Sequence, residues 1–345
     1  MRQEANAQNL PKKVPPKAPR KRKKRGRKIF ACFLVTLTSL AVLVFGGAGI
    51  INHGPSPAVR DLFVTSMMET SAAKFLAKWY FSPQQLQEIL DANSIQDSGE
   101  VTDGSMVNIP AETAPEDAQD IEIQDVIGDT YKGKMMIVKD PSRVYLGTPE
   151  AFGAQAQGMT VLDMMERDGA VAGVNAGGFA DQNGVGNGGQ PIGLVISNGE
   201  LLTGGGNNPT VIAGFDQDNK LIVGNLSGQQ AQEMNLRDAV TFGPVLMVNG
   251  ERAKVEGTGG GLNPRTAIGQ RADGAVLLLV IDGRQPHSLG ATYKDLIDVM
   301  EEYGAVNACN MDGGSSSVMY YGEELLSVCA SLYGPRKMPT AWLVK

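Results

Sequence analysis

The sequence predicts a mixed α/β domain of the α+β kind, a largely antiparallel sheet with packed helices, behind one N-terminal transmembrane helix. Three observations point there. Asn198-Gly199, Asp218-Asn219, Asn249-Gly250 and Asp273-Gly274 each divide two runs of strand-forming residues, which is the pattern of hairpins and so of antiparallel pairing. Thr160 to Arg167 and Thr292 to Tyr303 both open on Thr-x-x-Asp, a shortened capping box that starts a helix. Ile29 to Ile51 holds 23 residues without a charge, about 35 Å as a helix and enough to cross a bilayer core.

The N-terminal tail, residues 1–28, carries twelve Lys or Arg against Glu4 alone. Its block Lys21-Arg-Lys-Lys-Arg25 lies directly before the apolar span at 29–51, so the positive-inside rule keeps the tail in the cytoplasm and sends the rest of a single-pass protein outside the cell membrane. Residues 52–124 read as a juxtamembrane helix, Asp61 to Tyr80, followed by an acidic linker centred on Ile109 to Asp120. The globular catalytic domain is expected over 125–345.

Composition narrows the function. Beyond the tail, 36 carboxylates face 19 Lys and Arg, a balance that repels polyanions and speaks against nucleic acid as a partner. Only two histidines occur, His53 and His287, which excludes a site built on several His ligands. Cys309 and Cys329 lie in apolar stretches without Cys-x-x-Cys spacing; buried free thiols are the preferred reading over a disulfide. The glycine-rich loops at 184–189, 204–208 and 257–261 lack the Lys or the strand-Gly-helix context of nucleotide-binding loops.

In the helix Thr292 to Tyr303, Tyr293, Leu296, Ile297 and Met300 repeat at helical spacing and bury one face. Each of the two helices is followed by Gly, an apolar strand and a polar turn, Asn175-Ala-Gly-Gly178 in one case and Asp312-Gly-Gly314 in the other. Ligands collect beyond the carboxyl ends of such strands.

Asp282 and Asp312 each close an apolar strand beside Gly, placing a carboxylate on a turn without bulk. Chemistry at a glycosidic carbon needs such a carboxylate, as nucleophile or as base for water, and either Asp could serve. The alternative for each is an Asp that accepts backbone N–H groups and fixes its own turn. Arg265 and Arg284 suit a phosphate, since a guanidinium grips two phosphate oxygens in a fork; structural salt bridges are their alternative. Backbone N–H groups around Gly313, Gly314, Ser315 and Ser316 could add electrostatic stabilisation, and His287 could donate a hydrogen bond or proton. Ser315 to Ser317 lack the Gly-x-Ser-x-Gly elbow of a serine hydrolase. No cofactor is implied, although a divalent cation between Asp282 and Asp312 is chemically conceivable.

The run Asn263-Pro-Arg-Thr-Ala-Ile-Gly269, Asp282-Gly-Arg-Gln285 and Asn310-Met-Asp-Gly-Gly-Ser-Ser-Ser317, taken with Asn175-Ala-Gly-Gly-Phe179 and Phe242-Gly-Pro-Val-Leu-Met-Val-Asn-Gly250, resembles the phosphodiester glycosidase family from about Met136 to Val344. His287 departs from the small residue that many relatives carry. The resemblance implies cleavage of a sugar 1-phosphodiester, in a cell-surface or envelope polysaccharide, with water or a sugar hydroxyl as acceptor. Asp312, Asp282 and Arg265 are the expected catalytic residues. Substrate contacts are expected from Arg284, Asn175, Gly177, Gly178, Thr266, His287, Gly313, Gly314, Ser315 and Ser316. A non-catalytic glycan-binding or polysaccharide-assembly scaffold is the alternative of another class.

Overall fold

The computed structural model describes residues 23–70, 72–109, 121–181, 186–331 and 333–345. Most of the basic tail and all but Ile109 of the acidic linker core therefore lie outside the described residues. Two compact units emerge, residues 1–50 and 51–345. The first is described by the helix Lys23–His53, whose stretch Gly26–His53 is long and apolar enough to cross a membrane, with a mean hydropathy of 2.5 over its most apolar window. Thr36 and Thr38 return their hydroxyls to the carbonyls of Cys32 and Leu34, so these polar groups are satisfied inside the apolar helix.

In the second unit every strand pair among the described residues is antiparallel. All four expected hairpins form. Their turns hold Asn198, Asn219 and Asn249 at φ between 52° and 62°, with Gly274 at 91°, the left-handed region that Asn and Gly reach most easily. Both expected helices form too, Val161–Asp168 and Tyr293–Glu302, each with a complete capping box from Thr160/Asp163 and Thr292/Asp295.

The central sheet has seven strands in the order Glu251–Arg252, Val245–Val248, Ala305–Met311, Arg265–Arg271, Val276–Ile281, Lys132–Val138, Ile121–Ile127. Period-two alternation buries both of its faces. Met136, Val138, Leu278 and Val280 point into a core shared with two five-stranded sheets, where Phe215 meets Trp342 edge-on at 5.5 Å. Met135, Ile137, Leu277 and Leu279 point the other way, under Leu296, Ile297 and Met300 of the helix Tyr293–Glu302. That helix joins Val276–Ile281 to Ala305–Met311, which run parallel to each other with Arg265–Arg271 antiparallel between them. Asp282, Asp312 and Arg265 consequently emerge at one end of the sheet, the two Asp backbones two strand spacings, roughly 10 Å, apart.

The segment after the apolar helix differs from expectation. The anticipated helix Asp61 to Tyr80 is broken into Pro57–Glu69 and Phe75–Lys78, because Thr70 takes an extended conformation as the first ends. A further helix, Pro83–Asp91, starts on a Ser82/Gln85 capping box. Nor does the chain up to residue 109 run free as a linker. Ile95 pairs with Val255, Thr102 N–H donates to Val223 O at 3.0 Å, and Asn108 N–H donates to Ala272 O at 2.8 Å. Residues 51–109 are thus part of the compact unit, which starts well before position 125.

Candidate active site

A cleft of about 720 Å³ opens at the sheet end where Asp312 and Arg265 emerge, within the ~300–1,000 Å³ range of small-molecule sites. Its lining includes Asp312, Gly313, Gly314, Ser315, Ser316, Arg265 and Arg284 from the expected set, together with Glu69, Asp181, Asn263, Tyr293 and Arg336.

Asp312 follows the strand Ala305–Met311, its N–H fixed on Ala176 O at 2.9 Å. Beneath it Asn175 donates to Asp312 O at 2.5 Å and accepts from Thr266 Oγ1 at 2.8 Å and from the Val318 N–H at 3.1 Å. Asn175 and Thr266 are therefore buried supports of the turn and do not line the cleft. Gly177 and Gly178 also stay off it; a Cβ on Gly178 would meet the Phe242 ring at 2.8 Å, so close packing explains that pair. Gly313 lets the chain pass Pro264 O, and Gly314, at φ 65°, donates its N–H to the same oxygen at 2.8 Å.

Burial pushes the Asp312 carboxyl up to about 6, against the opposing pull of the Ser316 hydroxyl, the Arg336 guanidinium and the Gly313 N–H. Among the described residues it has no cation within salt-bridge distance, whereas the other two cleft carboxylates do: Glu69 pairs with Arg265 at 2.6 Å and Asp181 with Arg336 at 2.7 Å. The expected nest of N–H donors is thinner than the sequence suggests. Gly313, Gly314, Ser316 and Ser317 spend theirs on Asp312, Pro264, Gly313 and Gly314, leaving that of Ser315.

The two arginines play different parts. Arg265 is buried, stacked on the Tyr293 ring at 3.9 Å, and donates through Nε to Ala291 O and through Nη2 to Glu69 and Gly261 O. The Nε/Nη2 edge of its fork is consumed by the protein. Arg284 opens onto the cleft with no carboxylate partner among the described residues, and Nη2 donates to Asn263 Oδ1 at 2.9 Å. Its φ of 58° is left-handed, a conformation worth ~1–3 kcal/mol of strain in a non-glycine residue. Gly283 before it permits the close pass against Pro264 that aims it, since a Cβ there would lie 2.4 Å from Pro264 N. Desolvation and then the Arg265 cation hold the Arg284 pKa below its ordinary value, with Glu69 opposing.

Asp282 is not on the cleft. Its carboxylate accepts the Val328 N–H at 2.7 Å, its carbonyl accepts from Ser288 Oγ, and desolvation raises its pKa. The side chain ties the loop after its own strand to the segment around Val328, and with that the pairing of Asp282 and Asp312 about one ligand or cation loses its geometry. His287 sits with Asp282, Nε2 to Oδ2 at 3.6 Å, and is likewise absent from the cleft lining. Cys309 is buried and Cys329 half-buried, both as free thiols.

Comparison with known proteins fits this arrangement. The sequence model of the phosphodiester glycosidase family matches residues 168–345, over half of the chain. The chain belongs to the phosphodiester glycosidase family. Among relatives, the SPbeta prophage-derived uncharacterized protein YomE of Bacillus subtilis is 30% identical over 188 residues, covering 52% of this chain and 27% of that one. Mouse N-acetylglucosamine-1-phosphodiester alpha-N-acetylglucosaminidase is 26% identical over 221 residues, 58% of this chain and 42% of that one. The chain thus spans less than half the length of either. The zebrafish N-acetylglucosamine-1-phosphodiester alpha-N-acetylglucosaminidase catalytic domain, auto-inhibited by pro-peptide, shares the fold with a TM-score of 0.55 at 24% identity, over 67% of this chain and 85% of that one.

The phosphodiester glycosidase match begins at residue 168, so Glu69 is a cleft residue outside the matched segment. Sequence reasoning missed it, as it missed Asp181, Tyr293 and Arg336. Helical spacing puts Tyr293 on a buried helix face, and nothing in that spacing marks it as the platform under Arg265. Glu69, Asp181 and Arg336 stand outside every motif that carries the family resemblance.

Proposed function

We propose that this protein is a membrane-anchored phosphodiester glycosidase whose domain faces outward and cleaves sugar 1-phosphodiester bonds in a cell-surface or envelope polysaccharide. One observation carries the reading: Asp312, a carboxylate without an ion pair among the described residues, and Arg284, a guanidinium without a carboxylate among them, line the same cleft. A Cβ on Gly314, two residues beyond Asp312, would lie 3.2 Å from Arg284 Nη2, so a phosphate on Arg284 sets the attached anomeric carbon beside the Asp312 turn.

In this reading the bond from the anomeric carbon to the phosphate oxygen breaks, and its electron pair leaves with the phosphate. Arg284 stabilises that charge, and a phosphomonoester anion departs with less need of protonation than an alcohol. Asp312 faces the oxocarbenium-like centre, as nucleophile or as base taking the proton of the attacking water. With a carboxyl near 6 it is mostly ionised at neutral pH and still basic enough to accept that proton.

Release of reducing sugar from a chromogenic sugar 1-phosphodiester by the full-length protein in detergent tests the activity. Turnover that Asp312→Asn removes is expected; tight binding without turnover would instead favour the glycan-binding scaffold. Orientation is tested by protease on intact cells whose outer layers admit it. The domain should be shaved from outside, and its complete protection would overturn the topology.

A further inference from the structure

Arg265, Glu69, Asn263 and Arg284 form one connected cluster on a wall of the cleft. Glu69 Oε2 accepts from Arg265 Nη2 at 2.6 Å and from Asn263 Nδ2 at 2.7 Å, while Oε1 accepts the Gly261 N–H at 3.0 Å. Asn263 Oδ1 in turn accepts from Arg284 Nη2 at 2.9 Å. Charge couples the members as well, since Arg265 and Glu69 act on Arg284 with opposite signs.

Glu69 ends the helix Pro57–Glu69, and that helix is built into the domain. Val64, Thr65 and Ser66 are buried, Ser66 Oγ accepts the Leu262 N–H at 2.8 Å, and Gly261 has room only because it lacks a Cβ, which would fall 2.3 Å from Ser66 N. The cleft stays open with the helix in place and Glu69 in its lining. The helix is therefore a wall of the site.

We propose that Glu69 is a specificity residue: by neutralising Arg265 it leaves Arg284 as the unopposed guanidinium of the Asn263 cluster, a phosphate subsite matched to the one charge of a phosphodiester rather than the two of a phosphomonoester. A phosphomonoester carries close to two charges at neutral pH. The same neutralisation would weaken the grip on the phosphomonoester product and favour its release. This inference rests on the phosphodiester reading of the cleft, and its test does not require turnover.

Inorganic phosphate and dimethyl phosphate serve as dianionic and monoanionic probes, titrated by phosphorus NMR at about pH 8 into the full-length protein in detergent. Glu69→Gln leaves the Arg265 charge unopposed, and the affinity ratio of inorganic phosphate to dimethyl phosphate is expected to rise about tenfold. The mirror variant Arg265→Met leaves Glu69 unopposed and should lower that ratio by a similar factor. It also covers the case in which Glu69→Gln fails to fold around an unpaired buried guanidinium. Glu69→Asp, which keeps the charge, should keep the wild-type ratio.

A ratio unmoved by Glu69→Gln and Arg265→Met overturns the proposal and makes Glu69 purely structural. Faster diester turnover in Glu69→Gln with unchanged phosphate affinity also overturns it and makes the helix an inhibitory cap. If the ratio moves as expected but the wild type turns over no diester, the charge selectivity stands and the glycosidase reading falls. Absence of phosphate binding in every variant sinks the subsite itself.

Discussion

The two Asp-Gly turns, Asp282-Gly283-Arg284 and Asp312-Gly313-Gly314, close parallel strands of one sheet at the same end, yet they present opposite charges to the cleft. In the first the carboxylate is drawn away by the Val328 N–H and the following Arg, held left-handed, projects its guanidinium into the cleft. In the second no distant N–H among the described residues claims the carboxylate. Its nearest donors are Gly313 N–H and Ser316, so it stays in the cleft. Equivalent sequence therefore gives inequivalent chemistry, decided by which backbone donor lies within reach of each turn.

The sharpest way to break this comparison is to neutralise each carboxylate. Asp312→Asn keeps the shape of its turn and removes the charge opposite the developing oxocarbenium ion; turnover should fall by about 10²–10⁴-fold. Asp282→Asn should leave kcat of the folded protein within a few-fold, and Asp282→Ala should do the same while lowering stability by ~1–3 kcal/mol, the scale of a Val328 N–H left without its acceptor. Steady-state kinetics beside denaturant melts separate the two. Reversal of the pattern would make Asp282 the working carboxylate.

Next in size is the contrast between the arginines. Arg284→Met should raise KM for a sugar 1-phosphodiester by about 10–100-fold, the worth of a charge-assisted contact, and spare an aryl glycoside of the same sugar. Arg265→Lys should harm both substrates alike, because the Arg265 contacts to Glu69, Gly261 and Ala291 are to the protein itself. A phosphate-selective defect in Arg265→Lys would restore direct phosphate binding by that residue.

A smaller effect separates the carboxylates by pH. The folded Asp312 pKa of about 6 lies above its ordinary 3.8, so between these values the folded state holds the proton that the unfolded state has lost. Stability then falls as pH rises from 3.8 through about 6, and the cost is fully present above. Asp312→Asn should melt a few degrees higher than wild type at about pH 7.5, with the gap closing below pH ~4. Wild-type kcat/KM should decline as pH drops through about 6. A melting gap that is flat with pH would show that the carboxyl titrates normally.

Local signals in the sequence carry the hairpins, the capped helices and the strand-end placement of Asp312, because turn and capping chemistry act over two to four residues. They carry Arg284 as well, through Gly283 beside it. Nothing local reveals that Val328, 46 positions downstream, claims Asp282, or that Glu69, 196 positions upstream, claims Arg265. Asn175 and Thr266 belong to the right turn, but they support it rather than touch the cleft. In sequence, a buried amide bridging Asp312 O and Thr266 Oγ1 looks like any polar residue beside a glycine pair. Long-range partnership decides which polar side chains support a site and which face it, and that information lies in the packing of distant segments.

The smallest expected effect concerns His287, which the sequence places beside the chemistry. Its side chain is 41% exposed, and the 3.6 Å from Nε2 to Asp282 Oδ2 is an ion-pair distance without a tight hydrogen bond. A loose pair with its imidazole partner in solvent contributes ~0–1 kcal/mol, and the buried Asp282 carboxylate has the Val328 N–H as its closer partner. His287→Ala should therefore change kcat and KM for the phosphodiester by less than about threefold and shift stability by less than ~1 kcal/mol. Full pH–rate profiles of variant and wild type provide the check, since the Asp312 acid limb near 6 should be common to both. A loss beyond tenfold together with a missing limb would mean that the loop after Arg284 closes over bound substrate and brings His287 to the leaving group; the two Asp-Gly turns would then share the chemistry after all.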